Sequence, residues 1–95
     1  MDFTLSPEVE EMRLRIRDFV DREIIPLESD RANYDEHENI AEAPLERLKA
    51  KAKAEGLWSL SLPVEDGGLG YSVTDITACY EEMNRSIFGP VCFNA

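Results

Sequence analysis

Residues 6–27 read SPEVEEMRLRIRDFVDREIIPL, and this stretch decides the fold class. Ser6 can accept a hydrogen bond from an unpaired backbone N–H, and Pro7 suits the first helical position, so a helix starts here. Glu8, Glu10 and Glu11 then lie at the positive end of the helix dipole. Met12, Ile16, Phe19, Val20, Ile24 and Leu27 recur at intervals of three and four and predict one apolar stripe. Arg13, Arg15, Arg17, Asp18, Asp21 and Arg22 are expected to cover much of the remaining surface. Pro26 lacks an N–H and should kink or end the helix.

Two further helices are predicted outward from this one. Pro44 opens the second, over 44–55, with Leu45, Leu48 and Ala52 on one face. Gly56 is a natural left-handed stop, and Leu57 can fold back on Ala52. Ser72 and Asp75 stand in capping-box register before the third, over 73–86, whose expected apolar face is Val73, Ile76, Tyr80, Met83 and Ile87. Gly89-Pro90 closes that segment. Residues 29–42 keep no period and predict a solvated connector with room for one short helical turn. Trp58, Leu60 and Leu62 alternate with Ser59 and Ser61 in a strand-like way, but nothing else in the sequence offers a partner strand. An extended, buried connector is the expectation there, and the fold class is all-α.

Ninety-five residues make one small domain or a piece of a larger one. Acidic residues number 20 against 10 basic ones, a net charge of -10. That balance opposes nucleic acid and anionic membranes, since counterion release needs clustered Lys and Arg. Arg47, Lys49, Lys51 and Lys53 form the only basic cluster, flanked by Glu46 and Glu55. No run approaches the roughly 20 apolar residues a membrane helix needs. Met1-Asp2-Phe3-Thr4-Leu5 has neither the basic flank nor the apolar run of a secretory signal. Cys79 and Cys92 match no paired-cysteine spacing and read as buried free thiols of a reducing, cytoplasmic compartment.

The motifs that invite chemistry read better as structure. Gly67-Gly68-Leu69-Gly70 has no phosphate-loop spacing and no following lysine, and Glu65 and Asp66 precede it. Its glycines suit a tight turn. His37, between Glu36 and Glu38 on a polar stretch, lacks the convergent ligands a metal needs. The pairs Glu10-Glu11 and Glu81-Glu82 are expected on solvated outer faces, without the shifted pKa that acid–base work requires. Composition and spacing thus predict an acidic helical domain with no catalytic, cofactor-binding or metal site of its own.

The order of features resembles the acyl-CoA dehydrogenases. Asp2-Phe3-Thr4-Leu5-Ser6-Pro7-Glu8 is similar to their opening, and Phe19, Glu23 and Pro26 to their first helix. Gly56-Leu57-Trp58, then Leu62-Pro63, Glu65 and Gly67-Gly68-Leu69-Gly70, is the most specific run; Glu81-Glu82-Met83, Arg85-Ser86 and Gly89-Pro90 resemble the next helix and its end. The resemblance covers essentially the whole chain, residues 1–95, and implies the family's N-terminal helical domain, incomplete at its C-terminus. It implies an enzyme of three parts that uses FAD to desaturate an acyl-CoA thioester between its α and β carbons. Its glutamate base and nearly all its flavin contacts would come from later domains. Here the domain would complete the acyl-pocket wall, approached by Phe93, Asn94 and Ala95, and present a packing surface to its neighbours. The chain alone is then expected to hold no FAD and to self-associate through uncovered apolar faces. Two rivals stand beside this reading. An acyl carrier protein shares the size and charge, but no Asp-Ser-Leu attachment site occurs here. A stand-alone helical interaction module would need no further sequence.

Overall fold

The computed structural model describes residues 5–60, 62, 64–66 and 69–93. The fold is helical, as the periodicity predicts. Helix α1 spans Pro7–Phe19, α2 Glu42–Ala54 and α3 Val73–Met83. Among the described residues no strand forms, and the one isolated antiparallel bridge joins Tyr34 to Ile40.

The helix starts follow local chemistry. Ser6 accepts from the Val9 N–H at 3.2 Å and Pro7 takes the first position. Ser72 Oγ accepts from the Asp75 N–H, and Asp75 Oδ2 accepts from the Ser72 N–H, a complete capping box. Helix α2 begins two residues before Pro44, on Ala41, which offers no side-chain cap. Its end is a full Schellman motif. Leu57 N–H reaches the Ala52 carbonyl at 2.8 Å, Gly56 N–H reaches that of Lys53 at 3.1 Å, and Gly56 sits at φ +75°. Ala52 and Leu57 are both wholly buried, so the cap also closes an apolar contact.

Pro26 does interrupt the first helix, in two steps. After Phe19 the chain widens into a π turn over Val20–Ile24, where Ile25 N–H bonds the Val20 carbonyl. It then tightens to a 3-10 turn over Ile25–Ser29 that contains Pro26. The regular ladder cannot run through a residue with no N–H. The π turn ties outward on both sides: Glu23 pairs with Lys51 of α2 at 2.7 Å, and Asp21 with Arg85 beyond α3 at 2.8 Å.

Three expectations need correction. The connector after residue 29 is not wholly solvated. Asp35 Oδ1 accepts the His37 and Asn39 N–H groups and closes a loop that turns Ile40 into the core. Tyr34 lies against Phe88, ring centroids 4.9 Å apart. The connector at Trp58 does not alternate: Leu57, Ser59 and Leu60 are buried, Trp58 is half-buried and Leu62 is exposed. Ser59 at φ +52° breaks the period by turning the backbone left-handed. Ser61 lies outside the described residues. Finally, the buried face of α3 holds Cys79, Glu82 and Met83, with Ile76 and Tyr80 at its edge, while Val73 and Ile87 are exposed. The helix ends at Met83, so Ile87 never joins the face that a longer helix would give it.

The core gathers these elements. Helix α1 lays Met12, Ile16 and Phe19 mainly against α3, and α2 packs on the 3-10 turn Pro90–Phe93.

Candidate functional site

Of the residues expected at the acyl-pocket wall, Phe93 is fully buried. Its ring meets Phe19 edge to face, centroids 5.4 Å apart at 63°. Its carbonyl accepts the Ser59 N–H at 3.0 Å. Asn94 and Ala95 lie outside the described residues. The side chain of Phe93 therefore faces the core of its own domain.

Two open grooves mark the described surface. One, of about 520 Å³, runs along the outer side of α3 between Leu5, Val73, Thr74, Thr77, Ala78 and Glu81. The other, of about 300 Å³, lies between Ile40, Leu45, Ile87, Phe88 and Val91, with Asn39 at its rim. The second is chiefly apolar, while the first mixes Leu5, Val73 and Ala78 with Thr74, Thr77 and Glu81. Val73, Ile87 and Val91 are 84%, 70% and 45% exposed, which is surface suited to covering rather than to chemistry.

The carboxylates divide unevenly. Glu81 is exposed as expected, but Glu82 is buried, against the expectation of a solvated pair. Arg13 of α1 reaches it at 2.6 Å while also holding Glu10, and Arg85 stands 3.9 Å from its second oxygen. The sequence signal for this clamp was Arg13 itself. It follows Val9 by four and precedes Ile16 by three, so it borders the apolar stripe, where a carboxylate on a helix packed against that face can reach it. The hydrogen bond from Arg13 lowers the Glu10 pKa, and these carboxylates raise that of Arg13. Lys51, and then Arg22, lower the pKa of Glu23. With their pKa lowered, Glu10 and Glu23 stay ionised at neutral pH, the wrong state for a proton donor. Burial pushes the thiols of Cys79 and Cys92 up to about 11, so neither is a nucleophile at neutral pH. Among the described residues, no three His, Cys, Asp or Glu converge to hold a metal ion.

A flavin pyrophosphate needs open N–H groups or free cations. The N-termini of α1 and α3 are closed by Ser6 and by the Ser72–Asp75 box, and each carries acid in its first turn. Arg13, Arg22 and Arg85 all pair with carboxylates. Gly70 has φ +66° in the loop after Glu65 and Asp66, while Gly67 and Gly68 lie outside the described residues. Those two helix ends and three arginines are therefore not free to hold a flavin pyrophosphate. No helix among them is long and apolar enough to cross a membrane.

Comparison with known proteins gives this helical domain a family. The family described as acyl-CoA dehydrogenase, N-terminal domain, matches residues 6–94. Acyl-CoA dehydrogenase family member 11 of Gallus gallus is 36% identical over 98 residues, covering 97% of this chain, and that of Rattus norvegicus is 37% identical over the same share. The probable acyl-CoA dehydrogenase FadE2 of Mycobacterium tuberculosis is 38% identical over 74 residues, 70% of this chain. The chain spans 12% of the length of the two vertebrate relatives and the aligned part is 17% of the mycobacterial one. No solved structure matches it. The chain belongs to the acyl-CoA dehydrogenase family, as its N-terminal domain.

Proposed function

We propose that this domain works within an FAD-dependent enzyme that desaturates an acyl-CoA thioester between its α and β carbons. Its share is structural: a section of the acyl-pocket wall around residues 93–95, and apolar surface that neighbouring domains cover. The observation that carries this reading is the family match over residues 6–94. FAD, when bound in such an enzyme, accepts hydride from the β-carbon. The base and the flavin site belong, on this reading, to other domains of such an enzyme. The net charge of -10 supports placing the anionic CoA nucleotide elsewhere as well. Two buried, reduced thiols suit a reducing, cytoplasmic setting. Produced alone, the chain would associate with itself through the surface its neighbours would cover.

The test is flavin absorbance with acyl-CoA turnover, run on residues 1–95 and on the full-length protein. The full-length protein should be yellow and bleach with a suitable acyl-CoA, and the short chain should do neither. Removing residues 1–95 should weaken substrate retention and stability while most flavin binding survives. Turnover by the short chain, or a full-length protein without flavin, would overturn the proposal.

A further inference from the structure

We infer that Arg85 is a movable latch, shared between Asp21 on the π turn and a buried oxygen of Glu82 on α3. The starting observation is an imbalance at Glu82. Its Oε1 accepts from Arg13 Nη1 at 2.6 Å. Its Oε2 is buried and accepts no hydrogen bond among the described residues. Arg13 has nothing left for that second oxygen, because its Nε and Nη2 are held by Glu10 at 3.1 and 2.5 Å. The other cation beside Glu82 is Arg85, whose Nη1 stands 3.9 Å from Oε2. The same nitrogen lies 2.8 Å from Asp21 Oδ1. At 3.9 Å the charges attract without a hydrogen bond, and a movement of about 1 Å would form one. Leaving a buried carboxylate oxygen without a donor is costly, so that movement offsets what Arg85 gives up at Asp21.

The turn that Arg85 would release is suited to opening. A π turn is a rare insertion into a helix, and such insertions gather at functional positions. Val20 and Ile24 are wholly buried and anchor its inner side. Its outer side is pinned unevenly. Toward α2, Glu23 pairs with Lys51 at 2.7 Å and Arg22 with Glu55 at 3.1 Å. Toward α3, Asp21–Arg85 is the turn's one ion pair among the described residues. The 3-10 turn that follows adds only a long contact, Glu28 Oε1 accepting the Ile87 N–H at 3.4 Å. The π turn is thus hinged on α2 and latched to the end of α3. Ionic strength operates the latch. The Asp21 side chain is 46% exposed and that of Glu82 11%, and salt screens an exposed pair far more than a buried one. Rising salt therefore moves Arg85 from Asp21 to Glu82, freeing the outer side of the turn while α3 keeps its charge balance.

Hydrogen exchange followed by mass spectrometry, on folded protein dilute enough to stay monomeric, reads the π turn separately from α3. Asp21→Asn should speed exchange over Val20–Ile24 by about threefold, the worth of an exposed ion pair, and leave α3 unchanged because Arg85 moves onto Glu82. Arg85→Met should speed both, since Glu82 then loses its second counter-charge. A fixed Asp21–Arg85 pair predicts that the two variants behave alike, and that result would overturn the latch. A crystal structure of Asp21→Asn should show Arg85 bonded to Glu82 Oε2 at about 2.8 Å. An Arg85 that stays away from Oε2 in that variant would overturn the latch too. Should Arg85→Met fail to fold, the wild-type protein carries the test. Raising sodium chloride from about 0.05 to about 0.5 M should speed exchange in the π turn and spare α3. A π turn indifferent to salt, or one that loosens only together with α3, counts against the latch.

Discussion

At the level of single residues, two glycines separate the two reasons for lacking a side chain. Gly56 needs its left-handed φ, but a Cβ there would meet nothing within 4 Å. Gly89 has no such φ, but a Cβ would stand 1.7 Å from the Met83 carbonyl oxygen. Gly56→Ala should therefore cost about 1 kcal/mol through backbone strain. Gly89→Ala should cost about 3 kcal/mol, since the obstacle is helix backbone that cannot rotate aside. Urea unfolding of the two variants checks the order, and a larger loss at Gly56 would contradict the close approach. Only Gly56 was fully legible in sequence, because a glycine followed by an apolar residue at a helix end has a local meaning. The demand on Gly89 comes from a carbonyl six residues back, and Ser59 carries no local sign of its φ, because Phe93 lies far along the chain. The thiols make a second test. Cys79 and Cys92 are wholly buried, and burial lifts each from an ordinary value of 9.0 to about 11. The unfolded chain then gives up these protons first as pH rises. Their contribution to stability is complete below about 9 and falls away as pH climbs through about 11. Melting temperature should drop across that window, and a Cys79→Ala/Cys92→Ala variant should show a shallower drop. An equal slope in both proteins would exclude the thiols as the cause.

At the level of helices, ends were easier to foresee than faces. Ser6-Pro7, the Ser72–Asp75 box and the Gly56–Leu57 stop are written within a few residues of where they act, and all three form. A face depends on what packs against it. For α3, periodicity selected Val73 and Ile87, which are exposed, and passed over Cys79 and Glu82, which are buried. Glu82 can turn inward because Arg13, 69 residues away, supplies its counter-charge. Burying an ionised carboxylate without that partner would be unfavourable, so α1 and α3 select each other's rotation through this pair. The adjacent glutamates provide the check. Glu82→Gln should lower the unfolding midpoint clearly, because it removes charge where Arg13 and Arg85 both point. Glu81→Gln, on the exposed side of the same turn, should leave the midpoint nearly unchanged. Equal effects would mean that the ion pair does not orient the helix. The π turn after Phe19 shows the same limit on local reading. Pro26 announced an interruption, but the wide turn before it is also held from outside, by Lys51 on Glu23 and Arg85 on Asp21.

At the level of the whole molecule, shape and charge pull in opposite directions. The radius of gyration is 13.7 Å and the extents are 44 × 29 × 21 Å, against roughly 12 Å for a compact globule of this length. That form leaves apolar groups outside: Leu14, Val64, Val73, Ile87 and Val91 are all at least 45% exposed. Those on the groove beside Phe88 and on the outer side of α3 are the surfaces proposed above to lie under neighbouring domains. Without such neighbours, two copies gain by covering them, at roughly 25 cal/mol for each Å² of apolar area removed from water. Against this, each copy carries a net charge of -10, and like charges at an interface repel. Salt decides between the two. Screening shortens the reach of the repulsion to about 8 Å at physiological ionic strength and about 3 Å at 1 M, while apolar attraction is not weakened. Self-association of residues 1–95 should therefore strengthen as sodium chloride is raised from 0.05 to 1 M (a range of roughly 13 to 3 Å in screening length). Light scattering across that range, at fixed protein concentration, reads the mass directly. Replacing Ile87 with Asp, which puts a charge into the exposed groove at a side chain that is 70% exposed, should hold the chain monomeric at every salt concentration. Association that weakens with salt would instead identify ion pairs as the glue. A strict monomer throughout, with a sharp thermal transition, would favour a domain that is complete without partners.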